Sequence, residues 1–113
     1  MYPPLGNARA PYVQQDWIVD VTGAVTLTAY QRTIRATANT ATDDYAITLP
    51  GVAEAAGLVV SIRATIANSK TVTVQDQDDS EDWGGDYDLD TDGDRIVLMS
   101  DGRSWLPIFS EIT

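Results

Sequence analysis

The densest chemistry in the chain is the acid-rich run QDQDDSEDWGGDYDLDTDGD, Gln75 to Asp94. Within it Asp88, Asp90 and Asp92, followed by Gly93, match the opening of a calcium loop, where carboxylates at alternate positions precede a turn-forming glycine. A complete loop of that kind closes with a bidentate acid at its twelfth position, and here that position is Met99. On an extended strand, carboxylates two apart lie roughly 7 Å from one another. A single ion needs its oxygens at about 2.4 Å, so the backbone would have to curl. These three aspartates are the metal candidate, but the expectation is no metal and no cofactor. The run reads as a solvated strand edge and turn, where charge discourages edge-to-edge pairing.

Other chemistry is thin. The chain has no histidine and no cysteine, which removes Ser-His-Asp and Cys-His constellations, thiolate zinc sites and disulfides. Carboxylate-pair hydrolysis needs two acids roughly 5–9.5 Å apart in a cleft. Seventeen acids supply such pairs by chance, so the expectation is that the protein is not an enzyme. Trp83, beside Gly84 and Gly85, reads as a core plug at a strand start; an exposed aromatic among acids would instead suit a sugar. The net charge of −10 repels phosphate backbones and anionic lipid, so neither nucleic acid nor membrane is an expected partner. Six arginines, at 9, 32, 35, 63, 95 and 103, are spread along the sequence. They read as surface or interface pairs and not as a basic patch.

The elements that must carry these groups are strands. From Asp16 onward the period is two: Val19 and Val21, Val25 and Leu27, then Ile34 within Gln31 to Thr37. Further on, Tyr45, Ile47 and Leu49 share a face, as do Val60, Ile62, Ala64 and Ile66, then Val72 and Val74. Tyr87 and Leu89, Ile96 to Met99 and Trp105 to Phe109 follow. Short strands with turn signals about ten residues apart argue for a sandwich or small barrel. The helix-like piece Val52 to Ala56 is too short to stand alone. It lies between Pro50, which cannot donate to a ladder, and Gly57, which suits a helical stop. It reads as a connector that lets the strands on either side sit apart, or in different sheets. Residues 1–15, proline-rich and aperiodic, read as an extended arm, with no apolar core of a signal peptide. The expected architecture is therefore all-β: one sandwich or jelly-roll-like domain over residues 16–113, preceded by the arm.

Taken in order, Leu49-Pro50, Ala53 to Gly57, Leu58 to Ile66, Thr71 to Val74, Gly93-Asp94, Ile96 to Met99, and Ser100-Asp101-Gly102 with Trp105 resemble a unit of tailed-bacteriophage structural proteins. It recurs in capsid decoration (cement) proteins, head fibres and tail-fibre tips, commonly as homotrimers. The chain departs from that pattern between Gln75 and Asp90, where it is more acidic and carries Trp83. The resemblance implies a virion protein on the outer surface of the capsid, with the major capsid protein as partner and a homotrimeric state. It further implies a capsid-contacting arm, with Tyr2, Pro3, Pro4, Leu5, Arg9 and Tyr12 as candidate contacts. Arg32, Arg35 and Arg63 are candidate trimer contacts. The alternative it leaves is a receptor- or glycan-binding domain at the tip of a tail or head appendage.

Overall fold

In the computed structural model, residues 18–77 and 86–113 are described. The arm and Trp17, and residues 78–85 with Trp83, lie outside them, as do the expectations that fall there. Among the described residues nine strands follow in order: β1 Ile18–Val21, β2 Val25–Thr26, β3 Thr33–Ala38, β4 Tyr45–Leu49, β5 Val59–Ile66, β6 Val72–Asp76, β7 Tyr87–Leu89, β8 Arg95–Ser100 and β9 Trp105–Glu111. They form a five-stranded sheet, β1-β3-β5-β8-β9, and a four-stranded sheet, β2-β4-β6-β7. The protein is all-β with two sheets, as the alternation implies.

The wiring is that of a flattened coil. Each of the first six strands lies in the opposite sheet from the strand before it, so pairs within a sheet are parallel: β1 with β3, β3 with β5, β2 with β4 and β4 with β6. β7 runs against β6 and β8 against β5, and β9 turns back against β8, so these three pairs are antiparallel. A Greek-key jelly roll, by contrast, joins antiparallel neighbours. The connections are long enough to cross the core, which parallel pairing requires.

Register places like residues on like. Ile34-Arg35-Ala36-Thr37 on β3 pairs position for position with Ile62-Arg63-Ala64-Thr65 on β5. The isoleucines and alanines point inward and are buried, while the arginines point out. Val19, Ile34, Ile62 and Ile96 make one inward row of the larger sheet. Val25, Ile47, Val74 and Tyr87 make one inward row of the smaller. Between the layers the Tyr45 hydroxyl reaches the Thr37 carbonyl at 2.8 Å and the Val21 carbonyl at 3.0 Å. One phenol proton is shared between two strands of the opposite sheet, which satisfies a polar atom that burial would otherwise penalise.

The connector after β4 does what its sequence implies. Residues 52–57 form turns, with the Ala55 amide donating to the Gly51 carbonyl at 3.0 Å. Gly57 takes φ +80°, a left-handed conformation that costs an L residue roughly 1–2 kcal/mol. Val52 and Ala55 are buried, so the turn closes one end of the sandwich while the chain passes from the smaller sheet to the larger.

Candidate functional site

The charged side chains of the larger sheet line up on its outer face. Asp20 pairs with Arg35, Arg35 with Arg63, Arg63 with Arg95 and Arg95 with Glu111, each as direct cross-strand neighbours. One row of five charges therefore crosses all five strands, acid at both ends and arginine at the three inner places. The arginines scattered in the sequence are, in part, gathered by the fold: Arg35, Arg63 and Arg95 form a basic stripe, contrary to the reading of the sequence. The signal that reveals it is the repeated Ile-Arg-Ala-Thr, whose two copies stack in register.

The ends of the row are neutralised. Arg35 grips Asp20 through two contacts, Nε to Oδ1 at 2.8 Å and Nη2 to Oδ2 at 3.0 Å. Arg95 pairs with Glu111 through Nη2 and lies over the Phe109 ring, 6.0 Å from its centroid, the distance at which a cation still feels the ring quadrupole. Arg63 forms no ion pair with any described residue. Adjacent strands lie about 4.8 Å apart and like charges directly opposite are unfavourable, so three guanidiniums crowd the centre of the row, where Arg63 has no ion-pair partner among the described residues. Of the three candidate trimer contacts, Arg35 and Arg63 are neighbours here. Arg32 sits off the row at the entry to β3, half-buried, its carbonyl accepting from the Ser61 amide at 2.8 Å.

On one side of the stripe lie two further rows, apolar except for Thr33 and Ser61. Ile18, Thr33, Ser61, Val97 and Phe109 are aligned next to it, and Val59, Met99 and Leu106 lie beyond. Ile18 is 43% exposed, Val59 39% and Phe109 49%. A register shift between Val97 and Leu98 marks a bulge against Ile108, which is also exposed.

At the foot of the stripe the acid turn is spent on the backbone. Asp94 is buried. Its Oδ2 accepts from the amides of Asp90 at 3.1 Å and Thr91 at 3.0 Å, and its Oδ1 accepts from Thr113 at 3.1 Å. The three calcium candidates do not converge. Asp88 takes the Thr73 hydroxyl at 2.9 Å, Asp90 the Thr91 hydroxyl at 3.3 Å and Asp92 the Ile66 amide at 3.1 Å. Among the described residues no group of three or more acids is placed to hold a metal ion. The sequence reading of a solvated turn misses Asp94, whose carboxylate organises the turn from inside.

The connector and the β8–β9 hairpin meet at the opposite end. The Trp105 indole donates to the Pro50 carbonyl at 3.2 Å, Gly57 N–H to the Ser100 carbonyl at 2.7 Å, and the Ser100 hydroxyl to the Val52 carbonyl. Gly102, at φ +94°, has room for no more than van der Waals contact, since a Cβ there would lie 3.4 Å from the Ala56 Cβ. Asp101 Oδ1 accepts from the amides of Arg103 and Ser104, both at 2.8 Å, and these bonds hold its carboxyl below the ordinary aspartate value. No family model, curated protein or solved structure matches the chain.

Proposed function

We propose that this chain is a capsid decoration protein of a tailed phage, one that binds the outer surface of the head and stabilises the shell by protein–protein contacts. The supporting observation is that the separated pieces of the resemblance close on one another in space. Leu49-Pro50, the alanine-rich turn with Gly57, and Ser100-Asp101-Gly102 with Trp105 form one hydrogen-bonded end of the sandwich. Pieces that depend on one another in this way are expected to occur together, which gives the ordered series more weight than any one motif.

In this reading residues 1–15, with Tyr2, Pro3, Pro4, Leu5, Arg9 and Tyr12, are the capsid-contacting arm, and the sandwich is the exposed body, assembled as a homotrimer. The major capsid protein is the partner. A protein that binds only the assembled lattice stabilises it by mass action, so no catalytic group or cofactor is called for. The test is a particle made without this chain. It should assemble and then lose contents at lower temperature or pressure than the complete particle. Equal robustness would remove the cementing role. Host-cell binding by the purified protein, without binding to heads, would give the receptor- or glycan-binding alternative instead.

A further inference from the structure

We propose that the outer face of the five-stranded sheet, centred on Arg63, is a docking surface for a protein segment that presents carboxylates against an apolar background. The face has this chemistry whether or not the chain belongs to a particle.

Charge decides the class of partner. The row Asp20, Arg35, Arg63, Arg95, Glu111 is net positive in a chain of net charge −10. Its outer arginines are ion-paired, and its central one forms no ion pair with any described residue. Three guanidiniums side by side repel one another, and a carboxylate over Arg63 relieves that repulsion through a charge-assisted, bidentate contact. A phosphate or polyanion fits poorly. The hollow beside Arg63 and Arg95 is also lined by Asp92, Asp94 and Glu111, which oppose multiple negative charge.

Apolar surroundings decide that the carboxylate arrives on a protein. Ile18, Val97 and Phe109 beside the row, and Val59, Met99 and Leu106 beyond it, are surface that a partner's aliphatic side chains would cover, with the Thr33 and Ser61 hydroxyls between them as polar contacts. Five strands at about 4.8 Å and about 3.3 Å per residue give a face of roughly 500 Å² in flat projection. That is most of one partner's share, about 800 Å², of a standard interface. A second copy of this chain is the poorer occupant. The two-fold arrangement that lays this row on itself sets Arg63 against Arg63 and supplies no carboxylate there.

The test uses the full chain and a labelled short peptide of alternating Glu and Leu, with its Gln–Leu counterpart as control. The acidic peptide should bind roughly tenfold more tightly than the control, as one charge-assisted contact implies. Arg63→Gln should remove most of that difference, with the melting transition unchanged, and Arg63→Glu should reverse it. Arg103→Gln, outside the row, should leave it intact. Equal binding of the two peptides would overturn the proposal. So would displacement of the peptide by excess inorganic phosphate, which would make this a free-anion site. A wild-type oligomer that Arg63→Glu converts to monomer would also overturn it, since the face would then belong to a second copy.

Discussion

The indole N–H of Trp105 donates to the carbonyl of Pro50, fifty-five positions earlier, at 3.2 Å in the buried interior. This bond ties the last strand to the turn after β4, where the chain leaves one sheet for the other. Proline ends the ladder and leaves its carbonyl without a strand partner, and a tryptophan is one of few side chains both apolar enough to be buried there and able to donate.

Removing only the donor tests that bond. Trp105→Phe should cost about 1–3 kcal/mol, the range for a lost bond to a buried acceptor plus some packing. Trp105→Ala should cost about 3–5 kcal/mol, as a cavity of that size does. Urea unfolding followed by circular dichroism reads both, and an unchanged slope would show that the unfolded state is not the cause.

Gly57 and Ser100 belong to the same closure. Gly57→Ala should destabilise by roughly 1–2 kcal/mol. The cause is backbone conformation, because nothing lies within 4 Å of a Cβ built there. Ser100→Ala removes both the bond to the Val52 carbonyl and the one accepted from Gly102 N–H, and a loss of about 1–3 kcal/mol is expected. If Gly57→Ala melts with the wild type, the strain assigned to φ +80° is wrong.

Asp94 should matter more than any of the three calcium candidates. It gathers three backbone amides, and Asp94→Asn, which keeps one acceptor oxygen, should cost roughly 2–3 kcal/mol. Asp88→Asn and Asp90→Asn, on exposed carboxylates, should stay within about 0.5 kcal/mol. Titration calorimetry with calcium should give no heat. A saturable heat lost in Asp88→Asn would mean that the turn rearranges around an ion.

Two groups set a pH signature. Asp101 has its carboxyl lowered below the ordinary value of 3.8 by the Ser104 and Arg103 amides. A depressed folded-state value stabilises above the unfolded one and is lost as pH falls through the folded one. Its carboxyl resonance should therefore titrate below that of an unstructured aspartate. Tyr45 is raised above 10.0, chiefly by desolvation and against the opposing bond to Thr37. Its neutral form is favoured by folding, so its contribution is complete below 10.0 and declines as pH climbs from there to the folded value. A Tyr45 that ionises at the ordinary tyrosine value would contradict the buried bridge to Thr37 and Val21.

The faces of the strands were legible because alternation is local. Ile34, Ile47, Ile62, Val74 and Ile96 are buried where a period of two puts them. The Pro50-to-Gly57 connector was legible for the same reason, from a ladder breaker and a left-handed stop in sequence. What alternation does not contain is which strand lies beside which. Thr33 pairs with Ile18 on one side and with Ser61 on the other, across separations that no local pattern specifies. The arginine stripe depends wholly on that pairing, which is why Arg35, Arg63 and Arg95 look scattered until the sheet is assembled. Asp94 was hidden for a different reason. One buried aspartate among ten acids has the composition of a solvated turn, and only its three amide donors distinguish it.

The most direct test of the proposed role is co-sedimentation of the purified chain with empty heads of the phage that, on this proposal, encodes it. The chain should pellet with the heads, saturate at a fixed ratio to the major capsid protein and raise the temperature at which the shells open. A chain that stays in the supernatant while shells open at an unchanged temperature would contradict it.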